Sequence, residues 1–268
     1  MKSLNHYLKL FFIHTPVLSF NLSDRKFFKG VVLTFRFWLF FIDKKMLHSS
    51  QAWSLECVYN GKHFSLELKS ASDVSVLSEV FVLKEYEWQL DFNPKSILDL
   101  GAHWGDSTIY YAAMYPQATI LAIEPNETIY NRLGAQATQF SNVRTLQVAL
   151  GTDEGFTDLY VSRNTLGSSL VRREERSEVI RVKTLSLFDL CNLMKIKKFD
   201  LVKFDIEGAE EIIFKDVKNK ECAKAFIGEV HLDLMNLTLD DVKEYFADFE
   251  LSVSKISEMR YIVRAVKK

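Results

Sequence analysis

The chain contains 268 residues, of which 34 are Lys or Arg and 35 are Asp or Glu, so its net charge is -1. This balance excludes the strongly basic overall charge on which general nucleic-acid binders depend. Hydrophobic residues make up 48% and charged residues 26%, proportions that exclude a disordered chain and are typical of a globular protein. The length predicts one main domain with an extension.

The first part of the chain is rich in aromatic residues and helical in pattern, with turn residues at 21–24. Its densest apolar run, residues 31–42, contains Arg36 and is shorter than the roughly 20 residues that span a membrane. We expect a helix that packs on the core or on a partner subunit of a homo-oligomer. The alternative is a peripheral membrane contact through residues 27–42.

A β-hairpin and a further helix complete the predicted N-terminal extension, residues 1–92. Two strand-like runs, residues 53–59 and 63–68, flank the pair Asn60-Gly61. An Asn-Gly pair between two such runs is a strong hairpin signal. Helical periodicity then predicts a helix over residues 72–88.

From Ser96 onward, short apolar runs alternate with helical segments, a pattern that predicts a parallel sheet covered by helices. We predict an α/β fold over residues 93–268. It is a Rossmann-like, seven-stranded, mostly parallel sheet with helices on both faces and a terminal antiparallel β-hairpin. The predicted strands lie within residues 96–101, 119–125, 143–151, 199–208, 224–232, 251–255 and 261–266. The predicted helices are residues 106–115, 127–140 and 239–249, with another beginning at Ala209.

Two additional predicted strands, residues 157–162 and 179–184, interrupt the alternation of strands and helices. The stretch between them, residues 162–177, is polar and highly charged and contains Gly167-Ser168-Ser169. Long polar loops of this kind often serve binding. We therefore predict that it is a substrate lid.

The loop Asp99-Leu100-Gly101-Ala102-His103-Trp104-Gly105 connects an apolar strand to a helix. Glycine lets the backbone pass close to a ligand, and the following helix N-terminus presents free N–H groups. The dinucleotide fingerprint needs three glycines, whereas this loop has only Gly101 and Gly105. A carboxylate at Asp99 would repel a pyrophosphate and attract an ammonium group. The loop therefore favours a nucleoside ligand without phosphates, although such loops also occur as plain strand-to-helix turns.

Glu124 and Pro125 lie at the end of the next predicted strand, and Glu124 is twenty-five positions after Asp99. An acid at this position commonly bonds the ribose diol of a nucleotide ligand. The combination of the loop and Glu124 is more specific than either feature. A solvated strand end is the structural alternative.

A third cluster, Lys203-Phe204-Asp205-Ile206-Glu207-Gly208-Ala209-Glu210, lies where an apolar strand ends and a helix begins. Ligands in open α/β sheets bind outside the carboxyl ends of the strands, so Asp205 and Glu207 should face the loop. On the next strand, Glu229 and His231 alternate by two and share one face. Asp205, His231 and Glu207 are therefore the candidate catalytic residues. The alternative is a divalent-cation site formed by Asp205, Glu207 and Glu229.

Several segments resemble the FkbM-type methyltransferases, a branch of the class I S-adenosylmethionine-dependent enzymes: SILDLGAHWGDST, AIEPNETIYNRL, VALG, TLSLFDL and VKFDIEGAEEIIF. The resemblance covers roughly residues 96–232. It implies methyl transfer from S-adenosylmethionine, usually to a hydroxyl group of a sugar, glycan or natural product. It also implies that Asp99, Gly101 and Ala102 line the methionine end of the cofactor, that Glu124 binds the ribose and that Asp205 lies at the reaction centre. The predicted cofactor-binding set also includes His103, Gly105 and Pro125 from the same loop and strand end.

Two other functions share this strand-loop-acid pattern. One is a nicotinamide-dependent oxidoreductase, and the other is a non-catalytic member of the methyltransferase fold. The three cysteines, Cys57, Cys191 and Cys222, lack disulfide or zinc-site spacing. This favours a cytoplasmic protein. Residues 27–42 leave open that the protein associates with a membrane from the cytoplasm. The expected partner is a small-molecule or glycan acceptor.

Overall fold

The computed structural model describes residues 9–45, 48–161 and 178–268. The predicted lid, residues 162–177, lies outside the described residues. The chain divides into two compact units. The N-terminal unit comprises Met1–Glu87 and Ile109–Met114, and the sheet unit comprises Trp88–Thr108 and Tyr115–Lys268. The predicted boundary between residues 92 and 93 stays a prediction.

The N-terminal unit contains helices and one β-hairpin. A π-helical turn (Leu10–His14) leads into α1 (Thr15–Asn21), and α2 (Phe27–Lys45) follows. Strands β1 (Trp53–Tyr59) and β2 (Lys62–Leu68) form the predicted hairpin. Asn60 and Gly61 both adopt positive φ angles, 49° and 73°, which is the conformation that a two-residue hairpin turn requires. No helix among the described residues is long and apolar enough to cross a membrane.

Helix α3 (Ala71–Phe81) is shorter than the helix predicted over residues 72–88. It begins one residue earlier because Ser70 and Asp73 form a capping box. It ends earlier because the N–H groups of Val82 and Leu83 both bond to Ser78 O and Lys84 turns left-handed, at φ 57°. Periodicity alone does not reveal such a turn.

The sheet unit contains the predicted seven-stranded sheet. Its strands are β3 (Ser96–Leu100), β4 (Thr119–Ile123), β5 (Val143–Leu146), β9 (Phe199–Phe204), β10 (Ala223–His231), β11 (Phe249–Lys255) and β12 (Arg260–Lys267). Their order in the sheet is β11-β12-β10-β9-β3-β4-β5. Strands β5, β4, β3, β9 and β10 are parallel, and β11 and β12 form an antiparallel hairpin at the edge. The fold-class prediction is therefore confirmed.

The predicted strand over residues 143–151 is wrong in one respect, because the structure divides it between two sheets. Val143–Leu146 joins the main sheet, and the chain then turns where Val148 N–H bonds to Leu146 O. Ala149–Leu150 forms β6, which belongs to a separate sheet together with β7 (Gly155–Val161) and β8 (Glu178–Leu185). In this sheet β8 lies between β6 and β7.

The chain reverses its direction across the main sheet between β3 and β9. From β3 it proceeds outward through β4 to β5, whereas β9 and β10 lie on the other side of β3. Right-handed crossovers then put the connecting helices on opposite faces. These helices are α4 (Asp106–Met114), α5 (Glu127–Ala137), α6 (Leu187–Met194) and α7 (Glu210–Lys215); α8 (Leu239–Tyr245) precedes the terminal hairpin. The point of reversal is where ligands bind in open α/β sheets.

Candidate active site

The candidate site lies at the carboxyl ends of β3 and β9, where the strand order reverses. Leu100 ends β3 and Phe204 ends β9, and these two residues are paired in the sheet. The loop that follows β3 and the segment that begins at Asp205 are therefore neighbours. Asp205 N–H bonds to Leu100 O at 3.1 Å, which extends the ladder beyond both strands.

Gly101 makes the closest backbone approach in this loop. Its φ is +70°, and a Cβ atom added there would lie 2.0 Å from the carbonyl oxygen of Asp205. No side chain fits that space, so the contact requires glycine. The predicted loop glycine and the predicted reaction-centre acid are thus brought together directly. Gly105 also adopts a positive φ, +106°, just before α4 begins.

Asp99 is fully buried and is held from three sides within the protein. Its Oδ2 accepts hydrogen bonds from Ser107 Oγ at 2.8 Å and Thr108 Oγ1 at 2.6 Å. Its Oδ1 lies 3.1 Å from Lys203 Nζ. Asp99 was expected to attract the ammonium group of a ligand. In this structure its carboxylate instead ties β3 to the start of α4 and to β9.

Lys203 is a buried cation beneath the loop, with a side-chain exposure of 2%. Its Nζ also donates a hydrogen bond to Gly101 O at 3.0 Å. Burial opposes its charge, but the carboxylates of Asp99, Asp205 and Asp106 outweigh that effect and raise the pKa of Lys203. Lys203 therefore stays charged and fixes the carbonyl of the loop glycine.

Glu124 reaches back from the end of β4 to the loop. Its Oε2 accepts the N–H of His103 at 3.2 Å, and its Oε1 accepts the N–H of Asn126 at 2.9 Å. Burial raises the pKa of Glu124, and the bond from Asn126 opposes this shift. Pro125 carries the chain from Glu124 into the turn, where Asn126 Oδ1 caps α5 by accepting Ile129 N–H. Each carboxylate oxygen of Glu124 keeps acceptor capacity for another donor.

Ala102 and His103 form the turn of the loop. Ala102 N–H bonds to Ile123 O at 2.9 Å, which fixes the loop to the end of β4. His103 has a positive φ of 49°, and its Nδ1 lies 3.6 Å from Asp106 Oδ1. Burial opposes protonation of His103, but its interaction with Asp106 is the main contribution that raises its pKa. The Nε2 of His103 is buried and has no hydrogen-bond partner among the described residues.

Glu210 organises the turn after β9, although sequence reasoning gave it no role. Its Oε1 accepts the N–H of Ile206 at 3.2 Å, and its Oε2 accepts the N–H of Gly208 at 2.7 Å. The same Oε1 lies 2.8 Å from Nδ1 of His231 on β10. Glu207 within this turn takes a left-handed φ of 53°. Glu210 therefore joins the turn to the neighbouring strand.

His231 lies at the centre of a group of carboxylates and is only 1% exposed. Its Nε2 is 3.4 Å from Glu207 Oε2, 3.4 Å from Glu229 Oε1 and 3.9 Å from Asp205 Oδ1. The structure thus brings together all four residues of the predicted third cluster. Burial opposes protonation, but Glu210, followed by Asp205 and Glu207, raises the pKa of His231 to about 9. At neutral pH the imidazole is therefore protonated.

The same cluster contains a set of donors suited to a cation. Ligand atoms of Asp205, Glu210 and His231 all lie within 4.8 Å of one another. The predicted cation site used Asp205 with Glu207 and Glu229, so only Asp205 is common to both sets. Two of the three grouped residues, Glu210 and His231, already bond to each other.

Two residues of this site, Lys203 and Glu210, received no role from sequence reasoning, although each left a signal. Lys203 stands in the strand Phe199–Phe204, which is buried along its whole length, and a lysine in a buried strand needs a charged partner. Glu210 stands in the first turn of α7, where an acid is commonly only a helix-terminus residue. Its bond to His231 spans 21 positions and is a tertiary contact.

Comparison with known proteins finds a protein family whose model covers the residues of this site. A family model described as "Methyltransferase FkbM domain" matches residues 99–257. "Methyltransferase 1" of Beauveria bassiana (strain ARSEF 2860) is 23% identical over 208 residues, which cover 69% of this chain and 79% of that protein. "Methyltransferase sdnD" of Sordaria araneosa is 28% identical over 176 residues, covering 53% and 68%. A crystal structure of a fibrillarin/Nop5p complex matches with a TM-score of 0.48 and 15% identity, over 72% of this chain and 80% of that chain.

Proposed function

Because this chain belongs to the FkbM methyltransferase family, we propose that it transfers a methyl group from S-adenosylmethionine to a hydroxyl group. The proposed acceptor is a sugar, a glycan or a natural product. The observation that carries the proposal is the loop-and-acid arrangement at the switch point. Gly101 lets the backbone pass close to a ligand, and Glu124 offers a buried carboxylate beside that loop.

The residues at the loop fit a nucleoside cofactor. Glu124 would accept hydrogen bonds from the ribose hydroxyls, since each of its oxygens keeps acceptor capacity beyond its one backbone bond. His103 Nε2 provides a buried polar atom that a bound ligand can satisfy. Asp99 would act indirectly, because its carboxylate contacts Lys203 and the start of α4 and does not face a ligand. When bound, the cofactor supplies an electrophilic methyl group.

Asp205 is the proposed general base. Its side chain is 29% exposed, and its backbone contacts the loop glycine. Asp205 would accept the proton of the acceptor hydroxyl at a carboxylate oxygen, which leaves the acceptor oxygen nucleophilic. His231 is a poorer base, because Glu210 keeps its imidazole protonated at neutral pH. We propose that His231 instead positions Glu207 and Asp205 through its positive charge.

Cation-assisted chemistry is the less favoured variant of this mechanism. A divalent cation held by Asp205, Glu210 and His231 would have to displace the proton from the imidazole nitrogen that it binds. Deprotonation by Asp205 requires no such displacement. We therefore propose that transfer does not depend on an added divalent cation.

The proposed location is the cytoplasm. Cys57, Cys191 and Cys222 are all buried free thiols, which suits a reducing compartment. A small, soluble acceptor would need no basic nucleic-acid surface, and the net charge of -1 is consistent with that.

Cofactor binding provides the first test. S-adenosylhomocysteine should raise the melting temperature of the protein, because a ligand that binds only the native state stabilises it. Glu124→Ala should weaken its binding by about 10-fold to 100-fold, since a hydrogen bond to a charged group contributes about 1.5–3 kcal/mol. Isothermal titration calorimetry measures this affinity. Glu127→Ala, which removes an exposed acid three positions away, is the matched control.

NAD belongs in the same titration series as the competing cofactor. Stabilisation by NAD but not by S-adenosylhomocysteine would refute the methyl-transfer proposal in favour of an oxidoreductase. If neither compound bound, a non-catalytic role of the fold would be indicated instead.

A further inference from the structure

Helix α2 in the N-terminal unit carries a stripe of exposed apolar side chains. Phe28, Val32, Phe35, Leu39 and Ile42 are 84%, 61%, 58%, 53% and 41% exposed. Their spacing of four and three residues places them on one face of the helix. We call these five residues the apolar stripe. Soluble proteins seldom expose so many large apolar side chains in one continuous patch.

The apolar stripe is not the face by which α2 packs onto its own unit. Leu33, Phe37, Phe40 and Phe41 are buried, with exposures of 0–5%. At 100° per residue, these four positions lie on the opposite side of the helix from the stripe. Helix α2 is therefore apolar on two faces, and only one of them is used within the described residues.

The helix that precedes α2 carries a second exposed stripe. Ile13, Val17 and Phe20 are 56%, 42% and 39% exposed and are spaced by four and three residues. This segment packs on α2 where Phe11 stacks against Trp38, at 5.3 Å between ring centroids, and Trp38 Nε1 donates to Phe11 O. Two adjacent helices thus present unused apolar faces.

The charged residues beside the apolar stripe are mainly cations. Arg25, Lys26 and Lys29 are exposed at the start of α2. The acids of this region are engaged internally: Asp24 accepts the N–H of Gly61, and Asp43 accepts Trp53 Nε1 and pairs with Lys44. The border of the stripe is therefore positively charged, although the whole chain is close to neutral.

We propose that α2 is a membrane-surface helix that binds anionic phospholipid. Its apolar stripe would insert among the acyl chains near the headgroups, and Arg25, Lys26 and Lys29 would contact the phosphate groups. The 19 residues of α2 form a helix about 28 Å long, which would lie along the membrane surface. Lys29 and Arg36 interrupt the apolar sequence and suit an interfacial position.

A second copy of the chain fits this surface less well. In a two-fold symmetric dimer the same patch contacts itself. The acids of this patch, Asp24 and Asp43, are engaged internally, so the second copy would offer little compensating charge to the cations Lys26 and Lys29. An anionic lipid surface complements both the apolar stripe and its cationic border.

Vesicle sedimentation with the full chain tests the proposal. The protein should sediment with vesicles of phosphatidylcholine containing phosphatidylserine, and much less with phosphatidylcholine alone. The double variant Phe28→Ser/Phe35→Ser should bind the anionic vesicles roughly tenfold or more weakly, because two large apolar groups no longer insert. Lys26→Glu/Lys29→Glu should lose the preference for anionic vesicles.

The matched control is Phe156→Ser/Phe188→Ser, which removes two phenylalanines of similar exposure, 65% and 64%, from the sheet unit. This control should bind vesicles like the wild type. All variants should keep the wild-type melting temperature and affinity for S-adenosylhomocysteine, which separates this test from the methyl-transfer proposal. Wild-type protein that ignores anionic vesicles would overturn the proposal. The proposal would also be overturned if Phe28→Ser/Phe35→Ser bound anionic vesicles as strongly as the wild type. The same holds if the wild type formed a dimer without binding vesicles and this variant converted it to a monomer.

Discussion

The protonated state of His231 predicts how the stability of the protein depends on pH. The pKa of His231 lies at about 9 in the folded protein against an ordinary value of 6.5, so the native state holds this proton more tightly than the unfolded state. Its contribution is then fully present below about pH 6.5 and is lost as the pH rises through about 9. Each pKa unit corresponds to about 1.4 kcal/mol. The free energy of unfolding should therefore fall by about 3 kcal/mol across this window because of His231.

Urea denaturation between pH 6 and pH 9.5 measures this slope. His231→Gln keeps a side-chain N–H donor for Glu210 but cannot titrate, so the difference in stability between wild type and variant should shrink by about 3 kcal/mol from pH 6 to pH 9.5. His63→Gln removes an exposed histidine from β2 and is the matched control. NMR titration of the His231 ring supplies an independent value of its pKa. Parallel stability curves for wild type and His231→Gln, or a ring that titrates near 6.5, would refute the assignment of a protonated His231.

Two other substitutions separate cofactor binding from chemistry. Asp205→Asn should lower turnover by about 10²–10⁴-fold on an acceptor identified by transfer of a labelled methyl group. Calorimetry should show that its affinity for S-adenosylhomocysteine stays within a few-fold of wild type. EDTA should leave wild-type turnover unchanged, and a loss of turnover that magnesium restores would assign the role of Asp205 to a cation. Gly101→Ala should abolish S-adenosylhomocysteine binding, because its Cβ would lie 2.0 Å from Asp205 O. The control Gly134→Ala in α5 should bind normally, because a Cβ at that position meets nothing within 4 Å. Binding by Gly101→Ala at wild-type affinity would contradict the close approach.

The elements that periodicity and turn chemistry specify were predictable from the sequence. The hairpin at Asn60-Gly61 is one case, because few other residue pairs accept two positive φ angles. Strand β4 is another, because a parallel strand that is buried on both faces has a nearly continuous apolar sequence. Helix ends were less predictable: α8 stops at Tyr245 rather than at Phe249, because Phe249 already begins β11.

The site was predictable in part, because motifs locate residues along the chain but not their partners. Asp99, Gly101 and Glu124 lie close to the loop, and their role in binding a cofactor stays a prediction, whereas the direction of the Asp99 side chain depends on Lys203, more than a hundred positions later. Similarly, the alternation of Glu229 and His231 predicted a shared face, and their side chains lie 3.4 Å apart. The protonation of His231 depends on Glu210, a contact that no local pattern contains.

The connection between the loop and the end of β9 has a mechanistic consequence. Lys203 precedes Asp205 by two positions, and its Nζ holds both Asp99 and Gly101 O. The backbone N–H of Asp205 donates a hydrogen bond to the carbonyl oxygen of Leu100, and the carbonyl oxygen of Asp205 lies close to Gly101. The proposed cofactor loop and the proposed base are therefore parts of one hydrogen-bonded unit, and a shift of one displaces the other. Residues within such a network do not contribute independently. Under the proposed function, positioning of the cofactor and removal of the acceptor proton would therefore be coupled through the backbone, since both would depend on the same few contacts between β3 and β9.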